Sequence, residues 1–149
     1  MINKLFKMVA EFEGCELEAY KDVGRGVWTV GYGCTGEGIG RGTKWTQEQA
    51  DEELKKRLGV CIREACMLSP CLKTQPERRL IAIADFIYNI GARSYARGGH
   101  GGKESHLKAY VDAQLWEHAA MEVLKWNKAN GKVLPGLTKR RLKEAELLR

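Results

Sequence analysis

Glu13-Gly14-Cys15-Glu16-Leu17-Glu18-Ala19-Tyr20-Lys21-Asp22-Val23-Gly24-Arg25-Gly26-Val27-Trp28-Thr29-Val30-Gly31-Tyr32-Gly33 is the stretch on which the reading of this chain turns. Glycines at 24, 26, 31 and 33 punctuate short β-like pieces at Val27 to Val30 and Tyr32, the pattern of a twisted hairpin that approaches a ligand closely. Immediately upstream, apolar residues at 2, 5, 6, 9 and 12 recur at helical spacing, and Gly14 is a natural stop. The stretch therefore joins the end of one helix to one glycine-rich hairpin. It places a carboxyl, a second carboxyl and a hydroxyl there: Glu13, Asp22 and Thr29.

Outward from this stretch, 36–42 reads as a loop, and Thr46 with Gln49 forms a capping box. The helix it opens has an apolar face of Ala50, Leu54, Leu58, Cys61, Ile62 and Ala65, and is long enough to bridge two lobes. Pro70 and Pro76 break the chain, and Thr74 with Glu77 is a second capping-box candidate. Leu80, Ile81, Ile83, Ala84, Phe86, Ile87 and Ile90 surround their helix rather than lining one stripe, so that helix belongs at the centre of a core. A glycine-rich loop at 98–102 precedes further helices at 107–111, 115–126 and 137–148, the last entered through Pro135-Gly136. The expected class is α+β, mostly helical with one small N-terminal sheet. The expected organisation is a single domain over 1–149, with a hairpin lobe at about 14–60 and a helical lobe at about 61–149 on which the first helix packs.

The net charge of +6 points to an anionic partner, which nucleic acid, a membrane surface and an acidic wall polymer would all satisfy. Residues 1–11 hold no apolar run of signal-peptide length, being interrupted by Lys4, Lys7 and Glu11, and no later stretch could span a bilayer. Five cysteines, Cys15, Cys34, Cys61, Cys66 and Cys71, cannot all pair within one chain. They read mainly as buried thiols of a reducing compartment, with room for one bridge among Cys61, Cys66 and Cys71.

Two carboxyls divide the work of acid and base only when their settings differ. Glu13 extends the apolar stripe and meets the negative end of the helix macrodipole, a setting that suits an acid. Asp22 enters the hairpin beside Lys21 and Arg25, which suits a carboxylate. Taken singly, Glu13 reads as a helix-end glutamate, Asp22 as a turn former and Thr29 as a strand residue. Their spacing within one glycine-punctuated hairpin is the set that hydrolysis of a glycosidic bond uses.

Glu13-Gly14, Tyr20-Lys21-Asp22 and Trp28-Thr29-Val30-Gly31-Tyr32-Gly33 resemble the catalytic segment of the phage-type lysozymes, the muramidase endolysins related to T-even phage lysozyme. Phe86-Ile87-Tyr88-Asn89-Ile90-Gly91 resembles the family's core helix facing its cleft. Trp126-Asn127-Lys128, then Gly131-Lys132-Val133-Leu134-Pro135-Gly136-Leu137 and Lys139-Arg140-Arg141, resemble its C-terminal signature. The resemblance implies a lysozyme-like fold with a cleft between lobes. It also implies hydrolysis of the β-1,4 bond between N-acetylmuramic acid and N-acetylglucosamine in peptidoglycan.

By the same resemblance Glu13 is the general acid, Asp22 the second carboxylate and Thr29 the hydroxyl that helps position water. Tyr32, Thr35, Tyr88 and Asn89 fall where the family lines its sugar cleft. No cofactor and no metal is implied. The implied partner is a peptidoglycan glycan strand, met by a monomer that stays in the host cytoplasm until a separate membrane-permeabilising partner releases it to the wall.

Three features depart from the family. Cys34 stands where relatives commonly have His, and the hairpin between Asp22 and Thr29 is one residue longer than in the T-even phage enzyme. Gly98-Gly99-His100-Gly101-Gly102 replaces a common Ser-Thr pair. Trp28, Trp45, Trp116 and Trp126 suit core packing, and Lys139-Arg140-Arg141 reads as a solvated helix face with an affinity for an anionic wall. Two other classes compete. A small basic nucleic-acid-binding domain leaves the hairpin residues without purpose, and a non-catalytic wall-binding module has no need of both Glu13 and Asp22.

Overall fold

A computed structural model describes residues 1–23, 26–98 and 104–149. The elements, in chain order, are α1 (Ile2–Glu13), β1 (Glu16–Lys21), β2 (Trp28–Gly31), α2 (Gln47–Leu68), a 3-10 turn (Pro70–Thr74), α3 (Glu77–Ile90), α4 (Ala92–Arg97), α5 (His106–Asp112), α6 (Trp116–Val123), β3 (Lys128–Ala129), β4 (Lys132–Val133) and α7 (Pro135–Leu148). Contacts group the chain into two compact units, Ile2–Arg57 and Leu58–Arg149, the latter joined by Met1. The division falls inside α2.

In the first unit, α1 buries Leu5, Met8 and Val9, and Gly14 ends it at φ +67°, a left-handed conformation that costs glycine little. β1 and β2 pair antiparallel, Tyr20 opposite Thr29 and Lys21 opposite Trp28, with a register shift between Glu16 and Tyr20. The outer edge of β1 is covered by the segment around Lys44: the Ala19 N–H donates to Thr43 and the Trp45 N–H to Leu17, each at 2.8 Å. Behind β2 the chain doubles back through Gly31-Tyr32-Gly33, where Val30 and Cys34 exchange two hydrogen bonds of 2.9 Å. A Cβ at Gly31 would stand 3.1 Å from the Trp45 ring on a backbone at φ +64°, so both sterics and conformation require glycine there. Thr46 and Gln49 cap α2 reciprocally, Thr46 N–H to Gln49 Oε1 at 2.8 Å and Gln49 N–H to Thr46 Oγ1 at 3.1 Å, as the sequence predicts.

In the second unit α3 is the core helix: every residue from Leu80 to Ile87 is buried, Asp85 included. Phe86 packs edge-on against Tyr95 and Trp126, with ring centroids 6.2 and 5.2 Å apart. Trp126 and the other three tryptophans are half-buried packing residues: Trp28 and Trp45 cover the Ala19–Val30–Cys34 cluster, and Trp116 lies under Arg79.

Several expectations are corrected here. Thr74 and Glu77 do not form a capping box; Pro76 caps α3, and the Thr74 hydroxyl donates to Cys71 O at 3.0 Å, closing the 3-10 turn instead. The helix expected over 115–126 is Trp116–Val123, followed by a second hairpin that the sequence reading passed over. Arg140 and Arg141 are 3% and 0% exposed rather than solvated, because α7 packs that face against α3 and Asp85 supplies a counter-ion. Cys15, Cys34, Cys66 and Cys71 are free thiols, Cys34 fully buried, so the bridge allowed for among Cys61, Cys66 and Cys71 is not formed. The departure at 98–102 falls mostly outside the described residues.

Candidate active site

Glu13 is the last residue of α1, half-buried, and turns over the glycine turn that follows β2: a Cβ built at Gly33 would lie 3.8 Å from its Oε2. An open cleft of about 420 Å³ has Glu13, Gly14, Cys15, Glu16, Tyr20 and Gly31 on its walls. The helix end and the hairpin thus share one concavity within the first unit. This is the local arrangement expected from the sequence, since Gly14 stops α1 and lets the chain reverse into β1.

Asp22 follows β1, half-buried, with its backbone closing the hairpin: its N–H donates to Val27 O at 2.9 Å and its carbonyl accepts from Gly26 N–H at 2.7 Å. Thr29 sits across the ladder from Tyr20 and is 4% exposed. Its hydroxyl donates to Val27 O at 3.4 Å, a long bond that leaves it readily redirected.

Tyr32 is buried, and its hydroxyl is 2.9 Å from Asp51 Oδ1 and 3.0 Å from Gln47 Nε2. Burial first, then Asp51, pushes its pKa up to about 12, so it remains a neutral donor that ties the glycine turn to α2. Its ring also meets Phe6 edge-on at 5.8 Å. Thr35 is half-buried and its carbonyl accepts from Arg57 at 3.4 Å. Cys34, in place of the family's common His, belongs to the core with Ala19 and Val30, and burial pushes its thiol up. The remaining two candidates, Tyr88 and Asn89, are half-buried at the end of α3 in the second unit.

Cys15, Glu16 and Tyr20 are cleft residues the sequence reading did not single out. Tyr20 was within reach of it, because it lies near the end of β1, two positions before Asp22.

The model of the phage lysozyme family matches residues 10–144, and the chain belongs to that family. Its architecture, seven described helices and a small two-stranded antiparallel sheet at the N-terminal end, is the α+β lysozyme-like fold. Among curated proteins, the endolysin of Bacillus phage B103 is 33% identical over 141 residues, covering 94% of this chain and 50% of its own length. The SAR-endolysin of Enterobacteria phage PA-2 is 31% identical over 136 residues, covering 91% of this chain and 76% of its own. The chain spans about half the length of the first of these relatives. Among solved structures, the active form of the P1 phage endolysin Lyz matches with a TM-score of 0.83 and 25% identity, over 98% of this chain and 83% of that one. The muramidase domain of SpmX from Asticaccaulis excentricus matches with a TM-score of 0.80 and 25% identity, over 97% and 94%. Among the described residues no helix is long and apolar enough to cross a membrane.

Proposed function

We propose that this chain is an endolysin, a peptidoglycan hydrolase that cleaves the β-1,4 bond between N-acetylmuramic acid and N-acetylglucosamine. The observation that carries the reading is Glu13, a carboxyl at a helix end on the wall of a cleft shared with the hairpin of Asp22 and Thr29. Glu13 protonates the leaving oxygen, while Asp22 as carboxylate and Thr29 as a redirectable hydroxyl hold the attacking water. Tyr88 and Asn89 bind glycan, and the turn carrying Tyr32 and Thr35 shapes the cleft. The net charge of +6 aids encounter with an anionic wall. The chain stays in the host cytoplasm and reaches the wall when a separate membrane-permeabilising partner opens the way.

The test compares Glu13→Gln with Glu11→Gln in turbidity loss of permeabilised Gram-negative cells, alongside thermal melting. Glu13→Gln keeps its melting curve and loses activity by about 10²–10⁴-fold, the usual share of a general acid. Glu11→Gln is mild. An active Glu13→Gln protein would overturn the assignment.

A further inference from the structure

Tyr32 stands between two glycines of the cleft. Gly31 is on the cleft wall, and the Glu13 carboxyl lies over Gly33, where a Cβ would come within 3.8 Å of Oε2. Neither glycine has a side chain to anchor that turn, and Tyr32 supplies the anchor. Its ring sits edge-on to Phe6 of α1, and its hydroxyl reaches the N-terminal end of α2. There Asp51 Oδ1 accepts twice, from the Tyr32 hydroxyl at 2.9 Å and from Gln47 Nε2 at 2.6 Å. Gln47 Nε2 also donates to the Tyr32 oxygen at 3.0 Å, so the three groups close a ring of hydrogen bonds within the first unit. A phenylalanine at 32 would fill the same space against Phe6 with no polar atom to desolvate. What the hydroxyl adds is a fixed direction toward α2.

We infer that Asp51 is a positioning residue for the hydrolysis: by accepting from Tyr32 it fixes the Gly31-Tyr32-Gly33 turn, and with it the place at which the Glu13 carboxyl meets the glycosidic oxygen. The inference rests on the reading of Glu13 as the general acid. Among the described residues Asp51 is not on the cleft wall, so it acts through Tyr32 and touches no substrate. With its pKa pushed up to about 12, the Tyr32 phenol keeps the bonding proton throughout the neutral range. Both donors meet the same oxygen of Asp51, so the role belongs to an acceptor at that point rather than to a charge. Gln47 holds Asp51 in place from one helical turn away, at i and i+4.

The experiment measures kcat and KM of the whole chain on solubilised peptidoglycan strands, with thermal melting of each variant. Tyr32→Phe and Asp51→Ala each lower kcat by about tenfold at an unchanged KM, since a misplacement of about 1 Å already costs about 10²-fold and a general acid acts only in the transition state. The double variant loses no more than the weaker single one, because both substitutions cut the same bond. Asp51→Asn, which keeps an acceptor oxygen, retains most of kcat, whereas a need for charge would make it as poor as Asp51→Ala. Tyr32→Phe preserves the packing on Phe6 and supplies the test should Asp51→Ala melt early. An unmoved kcat in Tyr32→Phe, a loss confined to KM, losses that multiply in the double variant, or an Asp51→Asn protein no better than Asp51→Ala would overturn the positioning role and leave the hydrolase reading standing. Failure of the unmodified chain to hydrolyse the strands would overturn both.

Discussion

Arg140 grips Asp85 with two prongs, Nε to Oδ2 at 2.9 Å and Nη2 to Oδ1 at 2.7 Å, and both residues are out of solvent. A buried pair of this kind adds little net stability, yet breaking it leaves a charge stranded. Arg140→Met is expected to cost about 3–5 kcal/mol, or about 6–20 °C in Tm for a chain of this size. Asp85→Asn loses less, because the neighbouring Glu144 can ionise in its place. The double variant Asp85→Leu with Arg140→Met recovers much of the loss. Thermal melts of the three variants check this ordering; a double variant no better than Arg140→Met would refute it.

Glu144 sets a second dependence, on pH. As two carboxylates, Glu144 and Asp85 would leave the Glu144 oxygens without a well-aligned donor, although Arg141 Nη2 is 3.1 Å away. Protonation turns Glu144 into a donor to Asp85, and its folded pKa is raised by burial first and by that bond second. A raised folded value means the folded state holds a proton that the unfolded chain releases. The contribution is thus fully present below the ordinary value of 4.5 and is lost as pH rises through the folded value. Glu144→Gln, neutral at every pH, is expected to gain in Tm relative to the unmodified chain as pH rises from acid to neutral. Parallel Tm curves for the two proteins would remove this account.

Cys15 shares the cleft wall with Glu13 and is half-buried. Alkylation by N-ethylmaleimide is expected to lower wall lysis by tenfold or more, since a misplacement of about 1 Å already costs about 10²-fold. Cys15→Ser is expected to be active and protected. Cys66 and Cys71 label without loss, so a protein inhibited equally with and without Cys15 would exclude the cleft thiol.

The stereochemistry follows from the roles of Asp22 and Thr29. A water held between the carboxyls attacks the face opposite the leaving group and inverts the anomeric centre, which needs the carboxyls about 6.5–9.5 Å apart rather than about 5–5.5 Å. Proton NMR of the first-formed sugar end, read before mutarotation, is expected to show the α anomer from the β-linked substrate. A β product would make Asp22 a nucleophile or the substrate its own assistant.

Where a structural decision is made within a few residues, it was legible in the chain. The end of α1 at Gly14, the capping box of Thr46 and Gln49, and the hairpin carrying Asp22 and Thr29 follow from periodicity and turn chemistry, which act locally. The second hairpin had its signal too: Asn130 and Gly131 take φ of +50° and +76°, the two left-handed positions of a type I′ turn. Its strands are two residues each, too short for alternation to show.

Long-range pairing was not legible. Asn-Gly marks a turn by its own backbone preference, but nothing in Lys139-Arg140-Arg141 distinguishes a solvated run from a buried one. Asp85 is 55 positions before Arg140 and Asn89 is 52 before Arg141, and only the packing of α7 on α3 brings them together. The chain by itself determined its helices, its first hairpin and the residue types at the candidate site, because backbone preference and burial pattern are properties of neighbours. The tertiary structure decided which charges left water, because the counter-ion or donor that offsets desolvation arrives from a distant part of the chain.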